Sequence, residues 1–257
     1  MSGLALSVNA QEGAGDAPPL LIAHGLFGSA RNWGVISRRL SDRGPVMAVD
    51  MRNHGDSPWS DDHSYDGMAA DLAGAIDAHG GGRCDVLGHS MGGKASMALA
   101  LLYPEKVRKL VVADIAPVAY GHTQAQYVAA MRTLDLSGIA SRGDADRALA
   151  GSVTDRGTRA FLLQSADLKE GRWRLNLDVL DAWMSRIVGW PDIEGRFDGP
   201  ALFLSGMESD YVRPEHRATI RRLFPAARFA RLPGASHWLH ADRPREFEAA
   251  VRAFLDA

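Results

Sequence analysis

Cysteine is almost absent. Cys84 stands alone among 257 residues, so no intrachain disulfide framework is available. Its place inside an apolar run favours a buried core residue over a redox centre. No sign of charge dominates either: 29 Lys and Arg face 31 Asp and Glu, for a net charge of −2. That balance advertises no basic face for nucleic acid or acidic membranes. No stretch is long and apolar enough to span a bilayer, and Met1-Ser2-Gly3-Leu4-Ala5-Leu6 lacks the basic start and apolar run of a secretion signal. Repeats and low-complexity tracts are also missing. What remains is an ordinary globular balance of 46% apolar and 23% charged residues. The expectation is a cytoplasmic protein, monomer or small homo-oligomer, built as one α/β domain with an insertion or as two small domains.

Short apolar runs recur along the chain. They are Leu20–Ala23, Val46–Val49, Cys84–Leu87, Leu110–Ala113, Ala201–Leu204 and Phe229–Leu232. Their apolarity is continuous rather than alternating, which predicts strands of a mostly parallel sheet covered on both faces. Helices are predicted between them: residues 64–79 with Met68, Leu72 and Ile76 on one stripe, 214–224 opening on Pro214, and 244–256 opening on Pro244. Leu4 to Asn9 offers one or two edge strands. The alternation breaks once, between Asp114 and Ala201, where no convincing strand is found. Tyr127, Met131 and Leu134 share one helical stripe there, and Leu177, Leu180, Trp183, Met184 and Ile187 another. A stretch this long exceeds what a βα crossover needs, so it reads as an all-helical insertion over one end of the sheet.

The chemistry concentrates at Leu87-Gly88-His89-Ser90-Met91-Gly92-Gly93. It is a Gly-x-Ser-x-Gly pattern with a strand before it and an apolar helix after it. That context is a sharp strand-to-helix turn with an exposed serine hydroxyl, crowded enough to need glycine two places either side. A serine hydroxyl is a weak nucleophile and needs a base, an orienting acid and N–H donors for the developing oxyanion. The best base is His237, in the loop after the last strand, with His240 as the alternative. His-x-x-His from that pair is also a metal pattern, but no third ligand at sensible spacing accompanies it, and no metal is expected. His89 is expected to point into the fold, His54 to lie in a turn and His216 on a helix surface. The N–H of Met91 is one expected oxyanion donor. A second is expected from His24-Gly25-Leu26-Phe27-Gly28, with Leu26 ahead of Phe27. His79-Gly80-Gly81-Gly82 imitates another oxyanion sequence but closes a helix, and reads as a C-terminal cap.

Four stretches taken in order resemble the landmarks of the α/β-hydrolase superfamily: His24-Gly25, Asp50-Met51-Arg52-Asn53-His54-Gly55-Asp56-Ser57, Gly88–Gly93 and Ser236-His237-Trp238. Finer features resemble the branch of the YbfF-type bacterial esterases and α/β-hydrolase domain-containing protein eleven. These are His24–Ser29, Asp114-Ile115-Ala116-Pro117-Val118, Tyr127–Arg132 and His237–Pro244. One departure is Ser236, where the family usually has glycine. The resemblance implies an α/β-hydrolase core over 1–116 and 199–257 with a helical cap at 117–198, and no cofactor. It implies a hydrolase acting on small-molecule carboxylic esters or acyl thioesters through an acyl-enzyme on Ser90. Serine at position 90 argues against the carboxylate-nucleophile chemistries of the same fold. The rival class is a non-catalytic ligand-binding receptor or scaffold. For substrate, Phe27 and an apolar roof of Trp183, Met184, Ile187 and Trp190 are expected. The acid is open between two residues. Most of the superfamily carries it as Gly-x-x-Asp after the strand at Ala201. Here Gly206-Met207-Glu208-Ser209-Asp210 puts serine at that place and an aspartate one residue later. Asp114, at the end of the preceding strand, is the first choice, and the branch resemblance points the same way; Asp210 is the alternative.

Overall fold

Strands that are apolar on both faces need a layer on each side, and the chain supplies two. The computed structural model describes residues 3–257; Met1 and Ser2, part of the start read above for a secretion signal, lie outside the described residues. In chain order the first half is β1 (Val8–Gln11), β2 (Leu20–Ala23), α1 (Gly34–Leu40), β3 (Val46–Val49), α2 (Tyr65–His79), β4 (Cys84–His89), α3 (Met91–Leu102) and β5 (Val107–Ala113). A helical segment follows: α4 (Ala125–Thr133), α5 (Arg142–Leu149), α6 (Arg156–Leu162), the small strands β6 (Ala166–Asp167) and β7 (Arg172–Trp173), α7 (Leu177–Ala182) and α8 (Met184–Val188). The chain then returns to the sheet through β8 (Ala201–Gly206), α9 (His216–Leu223), β9 (Ala227–Leu232), α10 (Leu239–Asp242) and α11 (Pro244–Asp256).

The seven-stranded sheet has the order β1-β3-β2-β4-β5-β8-β9. β1 runs antiparallel to β3, and every other neighbouring pair is parallel. Side chains of a strand alternate between faces. Leu21, Ala23 and Val86 accordingly join the core shared with α2 and α3, while Leu20, Ile22 and Leu87 pack with Trp33, Phe247 and Val251 on the other side. Among the described residues no helix is long and apolar enough to cross a membrane.

Three expectations shift. The edge strand covers only the end of Leu4–Asn9 and runs on to Gln11, because the Leu4 N–H is tied to the buried Asp71 carboxylate and holds the residues before Val8 off the sheet edge. The insertion is not wholly helical: Gly171, at φ 62°, permits the turn that pairs Ala166 with Trp173, and Leu175 bridges to His54. α9 begins at His216 because the N–H groups of His216 and Arg217 reach back three residues, both at 3.1 Å, in a tighter turn containing Pro214.

Parallel register brings several strand ends to one edge. Ala23 of β2 pairs with Gly88 of β4, His89 with Ala113 of β5, and Ala113 with Leu204 of β8. The residues that follow β2, β4, β5 and β9 (Leu26, Ser90, Asp114 and His237) thus leave the sheet on the same side, where open α/β sheets place their sites. The strand–helix corner leaves no room for side chains. A Cβ at Gly92 would stand 2.4 Å from the carbonyl oxygens of Ala23 and His24, and one at Gly88 would stand 2.4 Å from the Gly92 oxygen. Backbone atoms cannot swing aside, so Gly92→Ala should lower the unfolding free energy by about 2 kcal/mol or more in a denaturant titration. Gly151→Ala, where a Cβ meets nothing within 4 Å, should change it by less than about 0.5 kcal/mol. Equal effects would contradict the steric account.

Candidate active site

Ser90 sits at φ 53° and ψ −120°, a conformation that L residues avoid and that a tight corner enforces. Its N–H donates to the Ala113 carbonyl at 3.1 Å, fixing the corner against β5. Ser90 Oγ lies 3.0 Å from His237 Nε2, and His237 Nδ1 lies 2.8 Å from Asp114 Oδ2. A carboxylate only accepts, so the Nδ1–H donates to Asp114 and leaves Nε2 to accept from the serine. Asp114 has no exposed surface. Its Oδ1 accepts from the Gly206 N–H at 3.0 Å, and its Oδ2 also accepts from the Ser209 hydroxyl. The ring of His89, kept neutral by burial, reaches the His237 carbonyl through Nε2 at 2.8 Å.

The alternatives lie elsewhere. Asp210 is exposed, and its carbonyl accepts from Arg213 Nε at 3.0 Å. His240 is half-buried and stacked on Trp33, ring centroids 4.3 Å apart, and desolvation of its ring lowers its pKa to about 4. The His237 and His240 rings therefore serve different neighbours, and among the described residues no cluster of three His, Cys, Asp or Glu is suited to a metal. The decoy His79–Gly82 is a cap: the N–H groups of Gly80 and Gly82 reach the Ile76 carbonyl at 2.8 and 3.2 Å.

Leu26 and Met91 both line the cavity over Ser90. Met91 is the first residue of α3, so its N–H has no acceptor within the helix. Gly25–Gly28 is a four-residue turn closed at 3.0 Å, with Phe27 at φ 64° in its third place. The Phe27 N–H is engaged by His54 Nε2 at 3.2 Å, which removes it as an oxyanion donor.

The cavity has a volume of about 220 Å³. Phe27 lines it, and so does Ile187. Trp183 does not, which corrects its expected role as a substrate-binding residue: its Nε1–H donates to the Asp61 carbonyl at 2.9 Å, and Arg186 covers its ring at 4.5 Å. The stripe from Leu177 to Ile187 presumes one helix, whereas α7 and α8 are separate short helices that meet at Trp183, whose half-buried side chain packs away from the cavity. Met184 is buried in the core and Trp190 packs on Tyr65. The walls come instead from Tyr120, Tyr127, Phe161, Leu162, Val188 and Tyr211. Apart from Tyr127, on the stripe read in α4, no periodic signal marked these, since they are scattered over three helices and two loops.

Lys94 was also unread, although a lone cation inside the apolar run of α3 was there to be noticed. It is 1% exposed, donates to the Val188 carbonyl at 2.9 Å and to that of Gly189, and lies 4.8 Å from the Tyr120 ring centroid. Burial pulls its ammonium down to about 7, while the carbonyls at the end of α8 favour the charged form.

Beneath the turn, two buried imidazoles act as backbone acceptors. His24 Nε2 accepts from the Met51 N–H at 2.9 Å, and His54 Nε2 accepts from Phe27. Burial lowers them to about 4 and about 3, respectively. An unfolded histidine titrates near 6.5, so their contribution to stability is complete above about pH 6.5 and is lost as pH falls toward those values. The thermal midpoint should therefore decline between about pH 6.5 and 4. His54→Gln, which keeps an acceptor but cannot titrate, should reduce proton uptake on unfolding at pH 5 by about one. A midpoint indifferent to pH over this range would contradict the neutral pair.

The sequence of residues 18–244 matches the family profile of the α/β-hydrolase fold. The chain is 42% identical over 262 residues to an sn-1-specific diacylglycerol lipase, ABHD11, of Mus musculus, covering 98% of this chain and 85% of that one. It is 40% identical over 240 residues to esterase YbfF of Escherichia coli strain K12, covering 93% of each. Among solved structures it superposes on a marine microorganism esterase with a TM-score of 0.92 and 36% identity, covering 98% of this chain and all of that one. The chain belongs to the α/β-hydrolase fold family, in the branch that holds these esterases and lipases.

Proposed function

We propose that this carboxylesterase-type hydrolase cleaves small-molecule carboxylic esters or acyl thioesters through an acyl-enzyme on Ser90. The observation that carries the reading is the hydrogen-bonded chain from Ser90 through His237 to Asp114 beside an apolar cavity. His237 Nε2 takes the hydroxyl proton as Ser90 Oγ attacks the acyl carbon. The nascent imidazolium is held by Asp114, whose remaining lone pairs are occupied by Gly206 and Ser209. The N–H groups of Met91 and Leu26 meet the oxyanion of the tetrahedral intermediate. His237 then delivers its proton to the departing alkoxide or thiolate, and a water activated by the same nitrogen hydrolyses the acyl-enzyme.

Residues 117–198 act as the cap. Phe161 and Leu162 of α6 and Ile187 and Val188 of α8 form walls that shelter an acyl chain, with Phe27 beside the scissile carbonyl. Lys94 pins the end of α8 to α3 and so keeps that wall over Ser90.

Activity of three variants on p-nitrophenyl acyl esters tests this reading. Ser90→Ala should fold and lose more than about 10³-fold in kcat. Asp114→Asn should lose roughly 10³ to 10⁴-fold while Asp210→Asn changes little. A robust Ser90→Ala enzyme would overturn the nucleophile, and a dead Asp210→Asn beside a healthy Asp114→Asn would overturn the acid.

A further inference from the structure

The loop after β8 does not present an acid to His237, yet it is not idle. Two of its side chains meet the hydrogen-bonded chain, one at Asp114 and one at His237. Ser209 donates to Asp114 Oδ2. Tyr211 lies flat on the imidazole of His237, ring centroids 3.9 Å apart and planes within 17°. We propose that Tyr211 is a positioning residue for His237, whose stacked ring fixes the plane of the imidazole and stabilises the imidazolium formed when Ser90 attacks. The proposal rests on the reading of His237 as the base.

The stack is held from three sides rather than left to chance. The Tyr211 carbonyl accepts from the Tyr120 hydroxyl at 2.8 Å, and that hydroxyl in turn accepts from the Ala116 N–H at 2.8 Å, next to the end of β5. The Tyr211 N–H reaches Ser209 Oγ at 3.3 Å, and its phenol oxygen is hydrogen-bonded to His122 Nε2 at 2.8 Å. These bonds set the height and tilt of the ring independently of His237. A ring face bears negative charge density, so a cation against it is stabilised by about 0.5–2 kcal/mol when water is excluded. A neutral imidazole gains far less from that face. The difference favours the protonated state that appears along the reaction.

Other groups also face His237, and each leaves Tyr211 a distinct part. Asp114, at the end of β5, bonds Nδ1 and fixes one direction of the ring, but a single hydrogen bond lets the plane rotate about it. His89 from β4, centroids 4.8 Å away, is kept neutral by burial and supplies no charge. His240 from α10 is kept neutral likewise, and His122 is lowered by partial burial and by the cations near it. Trp238, centroids 6.4 Å away, is too far to stack. Among the described residues Tyr211 alone offers its face in parallel contact.

The test compares kcat and the pH profile of kcat/KM for wild type, Tyr211→Phe, Tyr211→Leu and Tyr211→Met, with Ser90→Ala alongside. Loss of the aromatic face in the Leu variant should lower kcat by about 2- to 30-fold, the factor equivalent to the cation–π range. It should also move the acid limb of kcat/KM to lower pH by about 0.4 to 1.5 units. Tyr211→Phe, which keeps the stack and loses the His122 bond, should recover most of the lost kcat and the wild-type limb. Tyr211→Met fills similar volume without a ring and should behave as Leu, and it serves if the Leu variant fails to fold. Leu and Met variants with the wild-type kcat and limb would overturn the proposal, as would a Phe variant impaired as deeply as Leu. A change confined to KM would also overturn it, leaving Tyr211 a wall of the cavity. If Ser90→Ala kept the wild-type rate, the underlying reading of the site would fail instead.

Discussion

A carboxylate with no exposed surface must find its donors within the protein, and Asp114 finds three: the Gly206 N–H, the Ser209 hydroxyl and His237 Nδ1–H. Much of the site hangs on that requirement. Because Gly206 ends β8 and Ser209 lies in the loop after it, satisfying Asp114 locks this loop to the end of β5. Because His237 must also bond the same oxygen, the loop after β9 is drawn across β8 toward Ser90. Asp114 itself stands at φ 51°, out of line with its strand, as Ser90 does at φ 53° one strand away. Two adjacent parallel strands are thus each followed by a non-glycine residue of positive φ, and the sheet register sets them side by side.

Much of this was written locally in the sequence. The corner at Ser90 needs only a strand, a glycine pair and a helix within a dozen residues, and each has its own composition. The sheet was legible for the same reason: double-sided burial demands unbroken apolar runs. The acid was harder, because its identity depends on a long-range contact between residues 114 and 237 that no local pattern encodes. The serine at the fourth place of Gly-x-x-Asp carried half the information. What it did not reveal is that Ser209 would turn its hydroxyl to Asp114, nor that Asp210 would face solvent. Trp183 failed differently. Its stripe was counted along one continuous helix, and the chain breaks at that residue between α7 and α8, so Ile187 reaches the cavity while Trp183 does not. Cavity walls drawn from α4, α6, α8 and two loops leave a periodic trace only at Tyr127.

The helical segment between β5 and β8 is tied to the core at several deeply placed contacts. Lys94 is the least expected, a buried cation among apolar neighbours whose partners are the carbonyls ending α8. Tyr65 adds a second tie to the same stretch, its hydroxyl donating to the Ile187 carbonyl at 2.7 Å. Both come from elements of the core, α3 and α2, and both grip backbone rather than side chains. The wall near Val188 is thus insensitive to which side chains line it, which lets a lining vary while the shelter stays in place. On the far side, Ser165 donates to the Phe27 carbonyl at 2.7 Å and so couples the segment to the turn that carries Leu26.

The central claim is that Ser90 is a nucleophile primed by its neighbours. Its most direct test is labelling of the intact protein with a fluorophosphonate, followed by mass spectrometry of the whole chain and its peptides. The account predicts one equivalent bound, entirely on the peptide that contains Ser90, and formed far faster than on free serine. Absence of an adduct, or an adduct on another residue, would contradict it.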